Sequence, residues 1–255
     1  MPAFVAAIAL FFSLAVAGQA AIPAATVDQD SPLASLKGKT ILVDPGHNGG
    51  NASHPEIINK LVPAGGFRKE CDTEGAATSD EQYTEPEFTW DVAKRLTKLL
   101  KSAGAKVVLT RKNNSGVGPC INKRAAIGNK AKAAAAISIH ADGAEPGGHG
   151  FHVIRPGLVR GYTGPIVKPS YELSKRLRAA LDEAGLSRSN YRATNGIEAR
   201  KDLGGLNLSK VPKVFTELGN MRNAGDARRL KSAKWREHVA RALRSGLAEY
   251  LAKAQ

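Results

Sequence analysis

Four side chains of the right types stand where a hydrolytic metal site would need them. His47 follows a short apolar run directly, in Asp44-Pro45-Gly46-His47; His140 ends the run Ala134–His140; Glu217 lies near the end of Val211–Leu218. A further carboxylate, Glu85 or Glu87, sits where a helix-like segment begins. Two histidines and one carboxylate with an open fourth position form a zinc set used for hydrolysis. The ion activates a water and polarises the scissile carbonyl. A second, unligated carboxylate then takes the water's proton and returns it to the leaving amine. His47, Glu85, His140 and Glu217 supply three ligands and one base. The six histidines allow several such sets, and a strand-end histidine is often a hydrogen-bonded structural residue. His149 and His152 are three apart, so on a strand they point to opposite faces and do not easily share a metal. They read as strand or groove residues, with a substrate contact the minor reading of His152. His54 and His238 read as surface residues.

The elements that must bring these groups together alternate between strand and helix. Thr40–Val43 is a short β-prone run ended by the turn signal Asp44-Pro45-Gly46. Phe88, Val92, Leu96, Leu99 and Leu100 recur at helical spacing over Glu87–Ser102. Thr84 and Glu87 form a capping-box pair at its start, and Gly104 closes it. Strands follow at Lys106–Thr110, Ala134–His140, Gly150–Ile154 and Val211–Leu218. Helices are expected at about Lys123–Lys132, Tyr171–Ala184 and Lys234–Ala252. This alternation indicates an α/β sheet covered on both faces, built as one domain over residues 38–253. Sites in such sheets form at the carboxyl ends of strands, where all four groups fall. Over thirty residues between Gly49 and Tyr83 do not fit the alternation; loops of that length in a compact domain are functional or disordered.

Composition narrows the setting. The chain has 255 residues, 42% apolar and 24% charged, with a formal charge of +14. Such a balance favours a polyanionic partner: nucleic acid, an anionic membrane or an acidic polymer. Aromatics are only 5%, and none are interleaved along the basic last helix in the manner of a single-strand reader. Residues 1–22 carry no charge, and Phe4–Val16 is an apolar run followed by small residues at signal-peptidase spacing. The usual basic start is missing, yet the run is short of the ~20 residues that span a bilayer. Residues 1–22 are therefore read as a signal peptide and 23–37 as a linker. Cys71 and Cys120, an even pair in an exported chain, are expected to form one disulfide pinning the 49–83 insertion.

Several of these strings recur together in one family. ILVDPGHNGG (41–50) is very similar to the opening of the zinc N-acetylmuramoyl-L-alanine amidases. Glu85, with Ala93 eight residues on, resembles that family's Glu-plus-helix block; Val108-Leu109-Thr110-Arg111 resembles its next strand. Arg124 and Asn129, followed by Ser138-Ile139-His140-Ala141-Asp142, resemble its central block, with Asp142 where Asn is commoner. Val211-Pro212 through Glu217, Gly219 and Asn223 resemble its last. The pinned insertion is most similar to that of the single-domain mycobacterial enzymes.

The resemblance implies a twisted, mostly parallel sheet with helices on both faces. It implies zinc held by His47, Glu85 and His140, with Glu217 as the catalytic carboxylate. Family spacing selects Glu85, whereas Glu87 has the competing role of capping acid. The implied substrate is peptidoglycan, cut between the N-acetylmuramic acid lactyl group and L-Ala of the stem peptide. Wall remodelling and daughter-cell separation would be the setting. An exported monomer is expected, drawn to acidic cell-wall polymers by its basic surface and not to nucleic acid. Divisome-regulated relatives carry an inhibitory helix where this chain has Arg155–Pro169, a stretch too short and too rich in Pro and Gly for one, so an open groove is expected. The rival readings are a peptidase acting within the stem peptide and a catalytically dead wall-binding protein.

Overall fold

The computed structural model describes Met1, residues 32–193 and residues 195–253. The expected signal peptide and the first part of the expected linker lie outside the described residues. Its last part is a 3-10 turn, Pro32–Leu36, whose Leu36 is buried against the C-terminal helix.

The strands are β1 (Thr40–Pro45), β2 (Leu61–Pro63), β3 (Arg68–Glu70), β4 (Lys106–Leu109), β5 (Ala135–Asp142), β6 (His152–Pro156), β7 (Ile197–Arg200) and β8 (Lys213–Asn220). The helices are α1 (Pro55–Ile58), α2 (Glu85–Ser102), α3 (Ile121–Lys130), α4 (Gly164–Glu183), α5 (Gly204–Asn207), α6 (Ala224–Lys231) and α7 (Ala233–Lys253). Six strands make one sheet in the order β4-β1-β5-β8-β6-β7, and β2 and β3 pair as a separate hairpin. β4, β1, β5 and β8 run parallel; β6 is antiparallel to β8 and parallel to β7.

Side-chain alternation gives the two faces of this sheet different jobs. Ile41, Val43, Ile137, Ile139, Val153 and Val214 point to one face, where the apolar stripes of α2, α4 and α7 close the main core. The other face carries Leu42 and Ala136 under α3, then turns polar with Asp44, Ser138 and Lys213, all buried. α3 comes so close that a Cβ on Gly128 would press into Leu42. Buried polar groups need partners, and here they support the functional site.

Strand β7 and the short helices α1, α5 and α6 lie outside the expected elements, and two further regions differ from expectation. α4 begins at Gly164 rather than Tyr171. Pro165 falls in the first turn, where a missing N–H costs nothing. Pro169 removes one interior bond, yet Ile166, Ser170 and Leu173 are buried on the same stripe, so packing carries the helix through it. Residues 157–163 between β6 and α4 are turns without a helix. The 49–83 insertion contains the β2–β3 hairpin, and the Cys71–Cys120 disulfide joins it to the start of α3.

Candidate metal centre and active site

β1, β5 and β8 are parallel neighbours, so their carboxyl ends share one sheet edge. The chain leaving β1 turns there through Gly46 and His47. His47 takes a left-handed backbone conformation, φ 56°, which aims its ring back over the sheet. Gly46 is required by a close approach: a Cβ at that position would overlap His140 Cε1 and stand 2.5 Å from its Nδ1. From the insertion, Gly75 (φ +88°) passes so near that its Cβ would stand 3.0 Å from His47 Cδ2 and 3.1 Å from Glu85 Oε2. The first turn of α2 then delivers Glu85. Glu87 faces away and accepts from Thr84 N at 2.8 Å as the capping acid.

His47, Glu85 and His140 converge, with one ligand atom from each within 4.8 Å of the others. Glu85 Oε1 lies 3.3 Å from His47 Nε2 and 2.9 Å from His140 Nδ1. Ligands on a tetrahedral zinc, with bonds of about 2.0–2.1 Å, stand about 3.3 Å apart, so donor types and spacing fit that ion. The far side of each ring is already engaged. His47 Nδ1 lies 3.1 Å from both Asp72 Oδ1 and the Thr73 carbonyl, which leaves Nε2 for the centre. His140 Nε2 lies 3.1 Å from Ser138 Oγ, which donates to Asp44 Oδ2 at 3.1 Å. With its proton on Nε2, His140 presents the lone pair of Nδ1. Ligating histidines are generally fixed by such outer partners.

A buried network holds these partners. Asp44 accepts from Lys213 Nζ at 2.8 Å, Arg124 Nη1 at 3.0 Å and Thr110 Oγ1 at 2.7 Å. Arg124 also spans Asp72 Oδ2 at 3.0 Å and the His47 carbonyl at 2.9 Å, coupling the sheet to the ring that faces the centre. Arg111 ties the end of β1 to the start of α2 through the carbonyls of Pro45 and Pro86. Burial, then the Arg124 charge, pulls the Arg111 pKa down to about 9. Burial works against the Glu85 carboxylate, but His47 and His140 outweigh it and hold its pKa below the ordinary range. Burial likewise opposes a charge on His47, yet Glu85 and Asp72 raise its pKa well above the usual value. The field at this point favours a cation.

Glu217 stands beside His140 in the sheet register and lines the same cavity, about 210 Å³, with the cluster's two histidines. Burial raises its carboxyl pKa well above the ordinary range. The negative charges of Glu85 and Asp142 add to this, against His47 and Arg200. Lys69 and Glu70 of the β2–β3 hairpin and Gly204 and Gly205 of α5 also line the cavity. His140 stacks on Phe215 with 4.9 Å between ring centroids. The insertion therefore builds part of the site, through Asp72, Gly75 and the hairpin.

Other residues singled out in the sequence fall elsewhere. His54 and His238 are exposed, and His149 precedes β6. Asn223 caps α6 by accepting from Gly225 N and Asp226 N, while Asn220 donates to the carbonyls of Glu145 and Gly148; neither bond reaches Glu217. His152 is buried on the site face, beside Glu217 in register. Asp72 and Lys213 were not legible as site supports, because Asp72 lies in the irregular insertion and Lys213 is a basic residue at a strand start, a place usually exposed.

Residues 41–249 match the family described as N-acetylmuramoyl-L-alanine amidase. The N-acetylmuramoyl-L-alanine amidase Rv3717 of Mycobacterium tuberculosis is 36% identical over 225 residues, covering 86% of this chain and 89% of that protein. The crystal structure of the amidase Ami1 from Mycobacterium smegmatis superposes with a TM-score of 0.79 at 37% identity, over 86% of this chain and 99% of that one. Ami1 from Mycobacterium abscessus gives the same TM-score at 41% identity, over 84% and 99%. With a family match across nearly all the described chain and relatives this similar along their whole length, the chain belongs to the N-acetylmuramoyl-L-alanine amidase family of peptidoglycan hydrolases.

Proposed function

We propose that this chain is a zinc-dependent amidase that hydrolyses the bond between the lactyl group of N-acetylmuramic acid and L-Ala of the stem peptide. The observation that carries the reading is the placement of Glu217 in one cavity with the His47–Glu85–His140 cluster. His47 Nε2, Glu85 and His140 Nδ1 would hold the ion. Bound there, zinc supplies a Lewis acid and makes a water acidic enough to attack at neutral pH. Asp72 and Ser138 keep the two rings in the tautomers that face the centre. Glu217 takes the proton of the attacking water and delivers it to the departing L-Ala nitrogen. A raised pKa suits a carboxyl that must hold that proton between the two transfers, as ordinary carboxylates near 4 release it too readily.

The setting is a proposal as well. The Staphylococcus epidermidis relative bears the name probable cell wall amidase, which supports action at the wall. Export by the N-terminal segment, a part in daughter-cell separation, attraction to acidic wall polymers, no nucleic-acid partner and a monomeric state complete the reading.

The test is digestion of purified peptidoglycan by the mature chain, with zinc and with chelator, beside Glu217→Ala. Mass spectrometry should find free stem peptides beginning at L-Ala and intact glycan. Release should stop with chelator and in the variant. Cleavage within the stem peptide would transfer the site to a peptidase; tight zinc binding without any release would leave a binding protein.

A further inference from the structure

His152 is the buried titratable side chain of the site face that the mechanism above leaves unused. It is 1% exposed, and neither Nδ1 nor Nε2 has a hydrogen-bond partner among the described residues. Buried polar atoms are almost always paired, so an imidazole with both nitrogens unspent calls for a reason.

Its position supplies one. His152 is the direct antiparallel partner of Glu217 across β6 and β8. Directly opposed residues share a face, with Cβ atoms about 4.5–5.5 Å apart. The Glu217 carboxyl makes no hydrogen bond among the described residues either. The charged groups that act on the ring have ion-pair or hydrogen-bond partners of their own. From β5, Asp142 accepts from the Tyr191 hydroxyl at 3.1 Å, and the Tyr191 ring meets His152 edge-on, 6.1 Å between centroids. From the segment before β7, Arg192 pairs with Glu198 at 3.7 Å, and on β7 Arg200 is bound to Asp202. His152 and Glu217 are thus both unspent and directly opposed on one face of the sheet. His152 does not line the cavity that Glu217 lines, so a direct contact with substrate is not its role.

We propose that His152 is a positioning residue: in the working enzyme a side-chain rotation closes a hydrogen bond between its ring and the Glu217 carboxyl, a bond neither group makes in this structure, and holds the carboxyl in the rotamer that meets the reacting water. This rests on the reading of Glu217 as the general base. Burial pulls the His152 pKa down to about 4, against Asp142 and with the help of Arg192 and Arg200, so the ring works neutral. A neutral imidazole has one N–H and one lone pair. With its N–H toward Glu217 it donates to a carboxylate oxygen and, once the proton has moved, to the carbonyl oxygen of the acid form, so it serves Glu217 in both states.

The experiment is a double-mutant cycle on the full zinc-loaded chain, hydrolysing a soluble muramyl peptide. His152→Leu should lower kcat about 10- to 100-fold, with KM and zinc content unchanged. His152→Gln, which keeps a donor and an acceptor, should recover most of that loss. In a Glu217→Ala background His152→Leu should cost nothing further. Full kcat in a folded His152→Leu variant overturns the proposal, and so does the same loss in both backgrounds. Glu217→Ala activity at the wild-type level would instead sink the general-base reading, which is a separate outcome. Where His152→Leu fails to fold, the ring ¹⁵N shifts of His152 decide. They should differ between the wild-type chain and Glu217→Ala, and identical shifts overturn the pairing.

Discussion

Asp44 shows how much of this site is decided by one side chain. It sits under the sheet edge with Lys213 and Arg124 bonded to it, both buried. Burial alone would raise its pKa, but the two cations reverse that and hold it far below the ordinary carboxylate range. A depressed folded pKa means stability that is present above the unfolded value and lost only as pH falls through the folded one. Asp44→Asn should remove that contribution at neutral pH and leave Lys213 buried without its anion, while Arg124 keeps Asp72, costing about 3–5 kcal/mol. Denaturant titration of the variant checks this; a loss under 1 kcal/mol would mean that water or another anion already serves Lys213.

Glu217 gives the residue-scale pH prediction. Its pKa is raised first by burial and then by Glu85 and Asp142. A general base works ionised, so the acid limb of kcat/KM should follow that pKa. Asp142→Asn removes a negative neighbour, which favours the carboxylate. The limb should therefore move to lower pH, while Asn Oδ1 still accepts from Tyr191. An unmoved limb in the pH–rate profile would assign it to another group. His47, His140 and Glu217 were legible in the sequence because each ends an apolar run at a turn, where sheet geometry leaves one edge for them. Asp72 was not, because nothing in Cys71-Asp72-Thr73 reports that Arg124, far along the chain, will draw it to His47.

At the scale of elements, the 49–83 insertion is a working part of the domain. Its disulfide closes a sequence separation of 49 residues, and Cys71 exchanges backbone bonds with both sides: Cys71 N to Lys60 O, and Ile121 N to Cys71 O, each 2.8 Å. Loop-closure entropy for that span is worth about 4 kcal/mol. Asp72 follows Cys71 immediately and orients His47, so loosening the bridge should reach the metal as well. Cys71→Ser with Cys120→Ser should lower the melting temperature and weaken zinc binding about 10- to 100-fold, the usual cost of losing an outer partner. Thermal unfolding and chelator competition read the two effects separately. Lower stability with unchanged zinc affinity would show that Arg124 alone suffices to place Asp72. The pairing of the cysteines was readable from their even count; the hairpin between them was not, because Leu61–Pro63 and Arg68–Glu70 are three residues long and mostly exposed, without the alternation that marks a strand. The helices carried by leucine stripes emerged clearly, and where α4 overran its expected start, tertiary packing had overruled two prolines.

The whole molecule adds a property that no single element holds. Its formal charge is +14, while the cavity of the candidate site is lined by the carboxylates of Asp44, Glu70, Asp72 and Glu217 as well as by Lys69, Arg124 and Arg200. The excess is therefore a feature of the outer surface, where Lys210, Lys234 and Arg241 are exposed, and not of the site. Two consequences separate cleanly. Attraction to an acidic wall polymer acts over distances that salt screens: the Debye length falls from about 10 Å at 0.1 M to about 3 Å at 1 M. Chemistry among buried charged groups is screened far less. Binding of a Glu217→Ala variant to teichoic acid or another polyphosphate should weaken steeply over that range. Turnover of a small soluble muramyl peptide by the wild-type chain should change less than about twofold. Cosedimentation and a peptide-release assay across one salt series measure both. Binding that ignores salt would point to specific recognition by a shaped groove, whereas turnover that falls in parallel with binding would place the basic charge in the catalytic step itself.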